Sequence, residues 1–486
     1  MSVNTVTGLP HGNHLIGGVR TGASAGHHSY DPATGEALGT YAEASPEEVS
    51  QAIDAARTAF DRTDWSRDRQ LRARVLNELA DCFSARADEL TALLAQENGK
   101  ILPEAGFEIS LVEPKLRYAA ALALTDTGTA AETKPGAYSM VHKEALGVAG
   151  IITPWNSPVF LAIRALAPAL AAGCTAVLKM PAQTALVADL LASTLAEAES
   201  LPPGVVNLFI ESEDQGAKQL VASPDVDIVC YTGSTHVGRQ IMAAGGATLK
   251  RLCLELGGKT PMIVFDDADL AAVVPTLVAG VTVFAGQFCM TGSRVLVQRG
   301  VAGDVAASLT AALESVRLGP ASDPESQMGP MIDQASVERV DRIVEEAGRS
   351  GRILLRGGPV TEGPLAAGAF YAPSLIEVDD VRAPIVQQEV FGPVVTVQRA
   401  AGEAQALEWA NDTVYGLAAS VWTRDVGASL RAAKTLNFGC VWINDHIPYL
   451  SEMPHGGFGE SGYGKDLSVY SLEEYTRIKH VMASLS

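Results

Sequence analysis

The sequence predicts an α/β protein with two separate α/β layers, each a mostly parallel sheet covered by helices, and three observations predict it. Between Leu146 and Phe209, short apolar runs alternate with Ala-rich helical segments. Runs of that kind, apolar on both faces, belong in covered parallel sheets. A second series of the same texture starts after Leu256 and continues to about Asn437. The chain also has the material for large cores: 486 residues, 47% hydrophobic and 19% charged, which excludes intrinsic disorder. At roughly 150 residues per domain the length suggests about three units.

From Ser45 to about Glu97 the pattern is helical. Ser45-Pro46-Glu47-Glu48 opens it with a cap residue followed by Pro at the first helical position. GVAGIITPWN, a helix through Leu161 to Ala171, TAVLKMP, a helix from Ala185 to Ser200 and GVVNLFI then form a β-α-β-α-β succession. VDIVCYTGS and THVGRQIMAAG add a strand, a turn and a helix, which completes the outline of a dinucleotide-type unit. Outline alone does not establish a ligand. In the second series, PMIVFDDAD and RVLVQRG are strands, and helices run from Leu270 to Phe284 and through Val305 to Val316. The polar stretch ALTDTGTAAETKPGAYSMVHKEAL interrupts the first unit as an extended arm, and YTRIKHVMAS closes the chain as an end strand. Two such segments suit either subunit pairing or a local hairpin.

The 36 Lys+Arg against 56 Asp+Glu leave a formal net charge of −20. That balance argues against nucleic acid and anionic membrane as partners, because both need clustered cations. The N-terminal residues carry no signal-peptide pattern, and no apolar stretch approaches the ~20 residues of a bilayer span. A cytoplasmic protein acting on a small soluble substrate is the expectation. Six Cys without CxxC and nine His without HExxH offer neither a disulfide scaffold nor a metal ligand set. Gly457 to Gly462 matches GxGxxG, but too few residues follow it for the helix, strand and acid that the fingerprint requires. Gly257-Gly258-Lys259-Thr260 resembles the tail of a P-loop, yet Cys253 stands where its first glycine belongs.

Chemistry is thus left to thiol, carboxylate and cofactor. Cys82, Cys174, Cys230, Cys253 and Cys440 sit in apolar strand or helix patterns, where a buried thiol behaves as a small hydrophobe. Cys289, in AGQFCMTGSR, follows an apolar helix in a loop of small and polar residues that can present it to a substrate. A nucleophilic Cys needs thiolate character, a partner for the oxyanion it creates and a base for the second step.

Five motifs in order carry a resemblance to the NAD(P)-dependent aldehyde dehydrogenase superfamily: ITPWN from Ile152 to Asn156, YTGSTHVG from Tyr231 to Gly238, LELGGK from Leu254 to Lys259, GQFC from Gly286 to Cys289, and EVFGPV from Glu389 to Val394. The resemblance spans nearly the whole chain from about residue 30. It implies an aldehyde dehydrogenase-like fold: a Rossmann-like nucleotide domain over 1–123 and 144–254, a catalytic domain over 255–440, and a small β oligomerisation element from 124–143 and 441–486. A homodimer or homotetramer is implied with it.

By the same resemblance Cys289 attacks the aldehyde, the Asn156 amide with the Cys289 N–H holds the oxyanion, and Glu255 activates the water that hydrolyses the thioester. Glu255, between Leu254 and Leu256, is expected to be buried, with its pKa raised toward the working range. Its presence separates the chain from the CoA-acylating branch and implies release of a free acid. Lys179 resembles the residue that binds the adenosine ribose, and Glu389 the one that holds the nicotinamide ribose. Gly233 and Ser234 open a helix toward the pyrophosphate. Ile152, Trp155, Val237 and Phe391 match positions around the nucleotide, although Trp155, Val237 and Phe391 read almost as well as core residues. Ala182 stands where NAD-preferring members have Glu, so NAD and NADP both stay open. Ser157, Arg164, Phe288, Met290, Tyr449 and His455 are expected to line the aldehyde tunnel. Arg164 suits either a substrate carboxylate or an internal acid partner. Glu452, in a tail that resembles aminobutyraldehyde-type members, suits an amine. The expected substrate is a small polar aldehyde: aromatic, semialdehyde or amino aldehyde. The competing reading is a catalytically silent relative that keeps the nucleotide fold.

Overall fold

Ser45 forms a full capping box: its hydroxyl accepts from the Glu48 N–H, and the Glu48 carboxylate accepts from the Ser45 N–H at 2.9 Å. The helical stretch that follows is three helices, Pro46–Arg62, Arg69–Ala85 and Ala87–Asn98. Asp68 restarts the second by accepting from the N–H groups of Gln70 and Leu71, both at 3.0 Å, a stop-and-restart that apolar periodicity does not report. The computed structural model describes residues 10–22, 26–125 and 128–485.

Two large sheets follow the two textures of the sequence. The first has eight strands in the spatial order Gly462–Tyr463, Arg251–Glu255, Ile228–Thr232, Val148–Ile152, Thr175–Pro181, Val206–Glu211, His14–Ile16 and Val19–Thr21. Its five central strands are parallel. Alternate residues face opposite clusters: Leu178 and Leu208 pack on one side, Val177 and Phe209 on the other. From Val148–Ile152 the chain winds outward to Val206–Glu211, then returns to the other side at Ile228–Thr232. The order reverses between those neighbours, and a crevice opens there beyond the strands' C-terminal ends, where such sheets bind ligands.

The second sheet has seven strands: Arg352–Leu355, Ser374–Glu377, Val394–Ala400, Arg294–Gln298, Pro261–Val264, Ala418–Trp422 and Cys440–Ile443, all parallel except the first. A helix over Leu270–Thr282 covers it and ends in a tight turn over Val283–Gly286, two residues short of the expected Phe284. Phe284, Ala285 and Gly286 take φ of 53°, 52° and 71°. For the first two this is a strained conformation, of the kind that surrounding packing must enforce. An added methyl group at Gly286 would overlap the backbone of Gly392, so this turn and the EVFGPV loop are pressed together.

The arm and the tail form a third sheet. Thr129–Lys134 and Ala137–Ala145 make a hairpin, and Thr476–Ser484 pairs antiparallel with the latter from Thr476↔Ala145 to Ser484↔Ala137. Among the described residues no helix is long and apolar enough to cross a membrane.

Candidate active site

The strained turn delivers Cys289 to the junction of two cavities, which share Asn156, Leu161 and Cys289. Asn156 arrives from the other sheet, in the loop between Val148–Ile152 and the helix Pro158–Ala172. One of its two amide N–H bonds donates to the Gln287 carbonyl at 2.9 Å, which ties it to the loop that carries the thiol. Burial, reinforced by the Glu255 charge, pushes the half-buried Cys289 thiol up to about 12. The resting group is a thiol, not the thiolate that a nucleophile requires.

The first cavity is a tunnel walled by Phe107, Phe160, Phe284, Phe288 and Tyr449, with Ser157, Arg164 and Met290 also in its lining. The rings brace one another edge to face, Phe160 on Tyr449 at 5.5 Å and Phe284 on Phe288 at 5.3 Å between centroids. Its two charged neighbours are already engaged. Glu108 pairs with buried Lys100 and accepts from the N–H groups of Val159 and Phe160, which caps the helix behind the wall. Arg164, 2% exposed, lies 2.6 Å from Asp466, donates to the Tyr449 hydroxyl at 2.9 Å and to Thr232 at 3.3 Å, and stands 3.7 Å from Glu255. Of the two readings of Arg164, the internal acid partner is the one observed. Burial opposes its charge, and the carboxylates of Asp466 and Glu255 more than restore it.

The second cavity, of about 350 Å³, occupies the crevice at the switch in strand order. Trp155, Gly233, Ser234, Glu389 and Phe391 line it, joined by Thr232 and Arg339. Trp155 and Phe391 meet edge to face at 5.5 Å, and Phe391 holds φ of 52°. Ser234 caps the helix Thr235–Gly245 by accepting from Val237 N–H. Glu389 accepts from Gly258 N–H at 3.1 Å, and burial raises it to about 7 against the pull of Gly258, Lys259 and Arg339. A helix N-terminus, a guanidinium, a carboxylate and paired rings are a donor set that suits a pyrophosphate, a ribose and a planar heterocycle. Ile152 and Val237 line a separate groove, between the helices Gln215–Ala222 and Thr235–Gly245. Lys179 lines neither space. Burial lowers its pKa, and Glu211, Glu43 and Asp214 lean the other way.

Glu255 lies at the end of Arg251–Glu255, buried, and lines the second cavity beside Cys289. The expectation that burial would raise its pKa is corrected: burial does push upward, but His455, Arg164 and Lys465 outweigh it and the net direction is down. His455 is also corrected. It does not line the tunnel; it sits behind Tyr449, ring centroids 5.2 Å apart, with Nε2 3.1 Å from Glu255 Oε2. Glu452 is exposed and outside the tunnel lining. Phe107, Phe284 and Arg339 escaped sequence reasoning because no motif marks them. Of the other cysteines, Cys174, Cys230 and Cys253 are buried, whereas Cys82 and Cys440 are half-buried, and Cys174 falls just before its strand.

Cys289 thus stands where an apolar tunnel meets a crevice of about 350 Å³ at the switch in strand order, a layout suited to bringing two small molecules to one sulfur atom. The aldehyde dehydrogenase family model matches residues 20–481, and the chain belongs to that family of NAD(P)-dependent oxidoreductases. It is 37% identical over 454 residues to a betaine aldehyde dehydrogenase of Bacillus subtilis, covering 93% of this chain and 92% of that protein. To a peroxisomal aminoaldehyde dehydrogenase of Malus domestica it is 36% identical, covering 94% and 92%. A solved betaine aldehyde dehydrogenase of Staphylococcus aureus, in complex with NAD+, superposes with a TM-score of 0.95 at 33% identity, covering 98% of this chain and 95% of that one.

Proposed function

We propose that the chain oxidises an aldehyde to the free carboxylic acid. The observation that carries this is the placement of Cys289 and Asn156 where tunnel and crevice meet. Cys289 gives up its S–H proton to water as Sγ adds to the carbonyl carbon of an aldehyde in the tunnel. The free Asn156 N–H and the Cys289 backbone N–H stabilise the oxygen anion that forms. The coenzyme, when bound, supplies the hydride acceptor. Trp155, Ser234, Glu389, Phe391 and Arg339 hold it in the crevice. Glu255 then takes a proton from water as the water oxygen adds to the thioester carbon, and the C–S bond breaks to release the acid.

The tunnel supports a neutral substrate with an aromatic or apolar body. The commitment of Arg164 to Asp466 leaves no free cation for a substrate carboxylate, and the aromatic walls suit an aromatic or apolar body. The solved Staphylococcus aureus relative in complex with NAD+ supports NAD as the coenzyme. A kcat/KM survey with benzaldehyde, betaine aldehyde and succinic semialdehyde, each with both coenzymes, tests this reading. Benzaldehyde with NAD should lead by about tenfold or more, the scale of one well-fitted or misplaced group. Betaine aldehyde or the semialdehyde in first place would overturn the substrate assignment, and no turnover of any of them would overturn the activity.

We also infer a homo-oligomer. On the tail strand of the third sheet, Ile478 and Met482 are 73% and 67% exposed, an apolar face suited to a second copy. Light scattering that returned the monomer mass at micromolar concentration would remove it.

A further inference from the structure

His455 and Glu255 belong to different parts of the fold yet meet in a dry pocket. Both side chains are about 5% exposed or less. Glu255 is used asymmetrically. Oε2 lies 3.1 Å from His455 Nε2 and 3.7 Å from Arg164 Nη2, an ion-pair approach without a hydrogen bond, since His455 Nε2 and Glu255 Oε1 are both buried with no hydrogen-bond partner. The groups around the pair are few. Tyr449 lies tilted against the imidazole, and Asp466 donates its backbone N–H to the His455 carbonyl at 3.0 Å while its carboxylate pairs with Arg164 and accepts from Cys253 Sγ. Lys465 donates to the Gly456 carbonyl at 2.8 Å and adds a weaker positive field at Glu255. Lys115 bonds the Asp466 carbonyl at 2.9 Å, and the uncharged thiols of Cys253 and Cys289 complete the set. Arg164 is thus divided between two acids, and His455 is the cation-forming side chain nearest to Glu255.

We propose that His455 is a positioning residue for thioester hydrolysis: its imidazole occupies the Oε2 side of the Glu255 carboxylate and leaves Oε1 to receive the proton of the attacking water. This rests on the base role of Glu255 proposed above. A buried carboxylate with no cation beside it would take up a proton near neutrality and could then no longer accept one. Burial pushes Glu255 that way, and His455 is the largest influence opposing it. In the hydrolytic step one water O–H bond breaks and its proton goes to Glu255 Oε1. The water oxygen bonds to the acyl carbon, and the C–S bond breaks with its electron pair returning to Cys289. His455 exchanges no atom; it sets the charge of the acceptor.

Hydrolysis of 4-nitrophenyl acetate across pH 4–9 tests this in the full-length enzyme, since the nitrophenolate burst reads acylation of Cys289 and the steady phase reads deacylation. In H455Q, which keeps an N–H donor but no charge, the acid limb of the steady phase should move up by about one pH unit, the lower end of what an opposite charge at this range contributes. Deacylation would then fall about tenfold on that limb and stay within about threefold on the alkaline plateau, with the burst retained. A limb that does not move, or a rate depressed equally at every pH, would overturn the proposal, because lost packing alone acts at all pH values. If H455Q does not fold, H455F keeps a ring against Tyr449, and the same shift is expected of it. An undiminished steady phase in E255Q would instead defeat the base assignment of Glu255 itself, with the His455 role falling alongside it.

Discussion

The two cavities that meet at Cys289 are built in opposite ways. On the crevice side, three short runs at the ends of neighbouring strands supply most of the wall: Pro154 to Asn156, Thr232 to Ser234 and Glu255 to Gly257. The sheet's winding fixes where those runs lie, and an added methyl group at Gly257 would overlap the Glu389 carboxylate, so backbone shape decides the space. On the tunnel side, single rings come from separated segments: Phe107 from Leu102–Ser110, Phe160 from Pro158–Ala172, Phe284 and Phe288 from the turn around the thiol, and Tyr449 from a loop beyond the last strand of the second sheet. A wall made by backbone is tolerant of side-chain change, and a wall made by scattered side chains is free to change with the substrate. The proposed chemistry should therefore fail wherever the shared junction is cut. Recognition should fail on one side at a time.

The largest effect belongs to the junction. Cys289→Ala should lower aldehyde oxidation by at least about a thousandfold, the scale on which enzymes lose their nucleophile. NAD binding, followed by fluorescence quenching, should change by less than about threefold, because the thiol contributes one lining group among many. Turnover comparable to the parent would separate the thiol from the reaction. Asn156→Ala should come next, with kcat reduced about a hundredfold to a thousandfold, as for loss of one oxyanion donor. Since Asn156 also ties its loop to Gln287, thermal denaturation of the variant is needed beside the kinetics.

The contrast also accounts for what could be read in the sequence. Six of the parallel strands were legible, Val148–Ile152, Thr175–Pro181, Val206–Glu211 and Ile228–Thr232 in the first layer and Pro261–Val264 and Arg294–Gln298 in the second, because each is a short apolar run that ends in a polar or glycine-containing turn, as in VDIVCYTGS. So were the crevice residues Trp155, Gly233, Ser234, Glu389 and Phe391, which lie inside contiguous motifs. The breaks at Asp68 and Arg86 were not legible, because a cap inside a helical pattern leaves the apolar period on both sides intact. Ile152, Val237 and Lys179 sit in motifs yet stand away from the crevice lining, since a motif fixes the backbone position and not the direction of each side chain. Arg164 had two readings from sequence, and only the fold brings it to Asp466, 302 positions away. His455 was misassigned for a related reason: a residue one ring removed from the tunnel looks, in sequence, like a residue in it.

A change on the tunnel side alone should reach the aldehyde and leave the coenzyme. Phe160→Ala removes a ring that packs on Tyr449 and should raise KM for an aromatic aldehyde about tenfold, corresponding to roughly 1–1.5 kcal/mol of lost ring contact. KM for NAD should stay within about twofold, because Phe160 does not line the crevice. Equal losses for both substrates would show that the two walls are mechanically one. The result would be sharper if Phe160→Leu recovered most of the loss, as volume-conserving apolar exchanges usually do.

The smallest effect is one of pH, and it belongs to the crevice. Glu389 titrates near 7 in the free protein because burial disfavours its charge. A ribose hydroxyl can only donate to a carboxylate oxygen, and an ionised oxygen accepts more strongly than a protonated one. Coenzyme affinity should accordingly rise as pH passes upward through about 7 and level off above it, by about threefold to tenfold in all. Linkage requires the converse: below pH 7, binding draws Glu389 toward the ionised form and releases a proton, which calorimetry in buffers of different ionisation enthalpy can count. Glu389→Gln should bind NAD with a flat profile over the same range. KM for a neutral aldehyde should show no inflection there, since Glu108 and Arg164 on the tunnel side are both locked in buried ion pairs. An inflection near 7 that survived in Glu389→Gln would mean that another group titrates in the crevice, and the separation of the two walls by charge would fail.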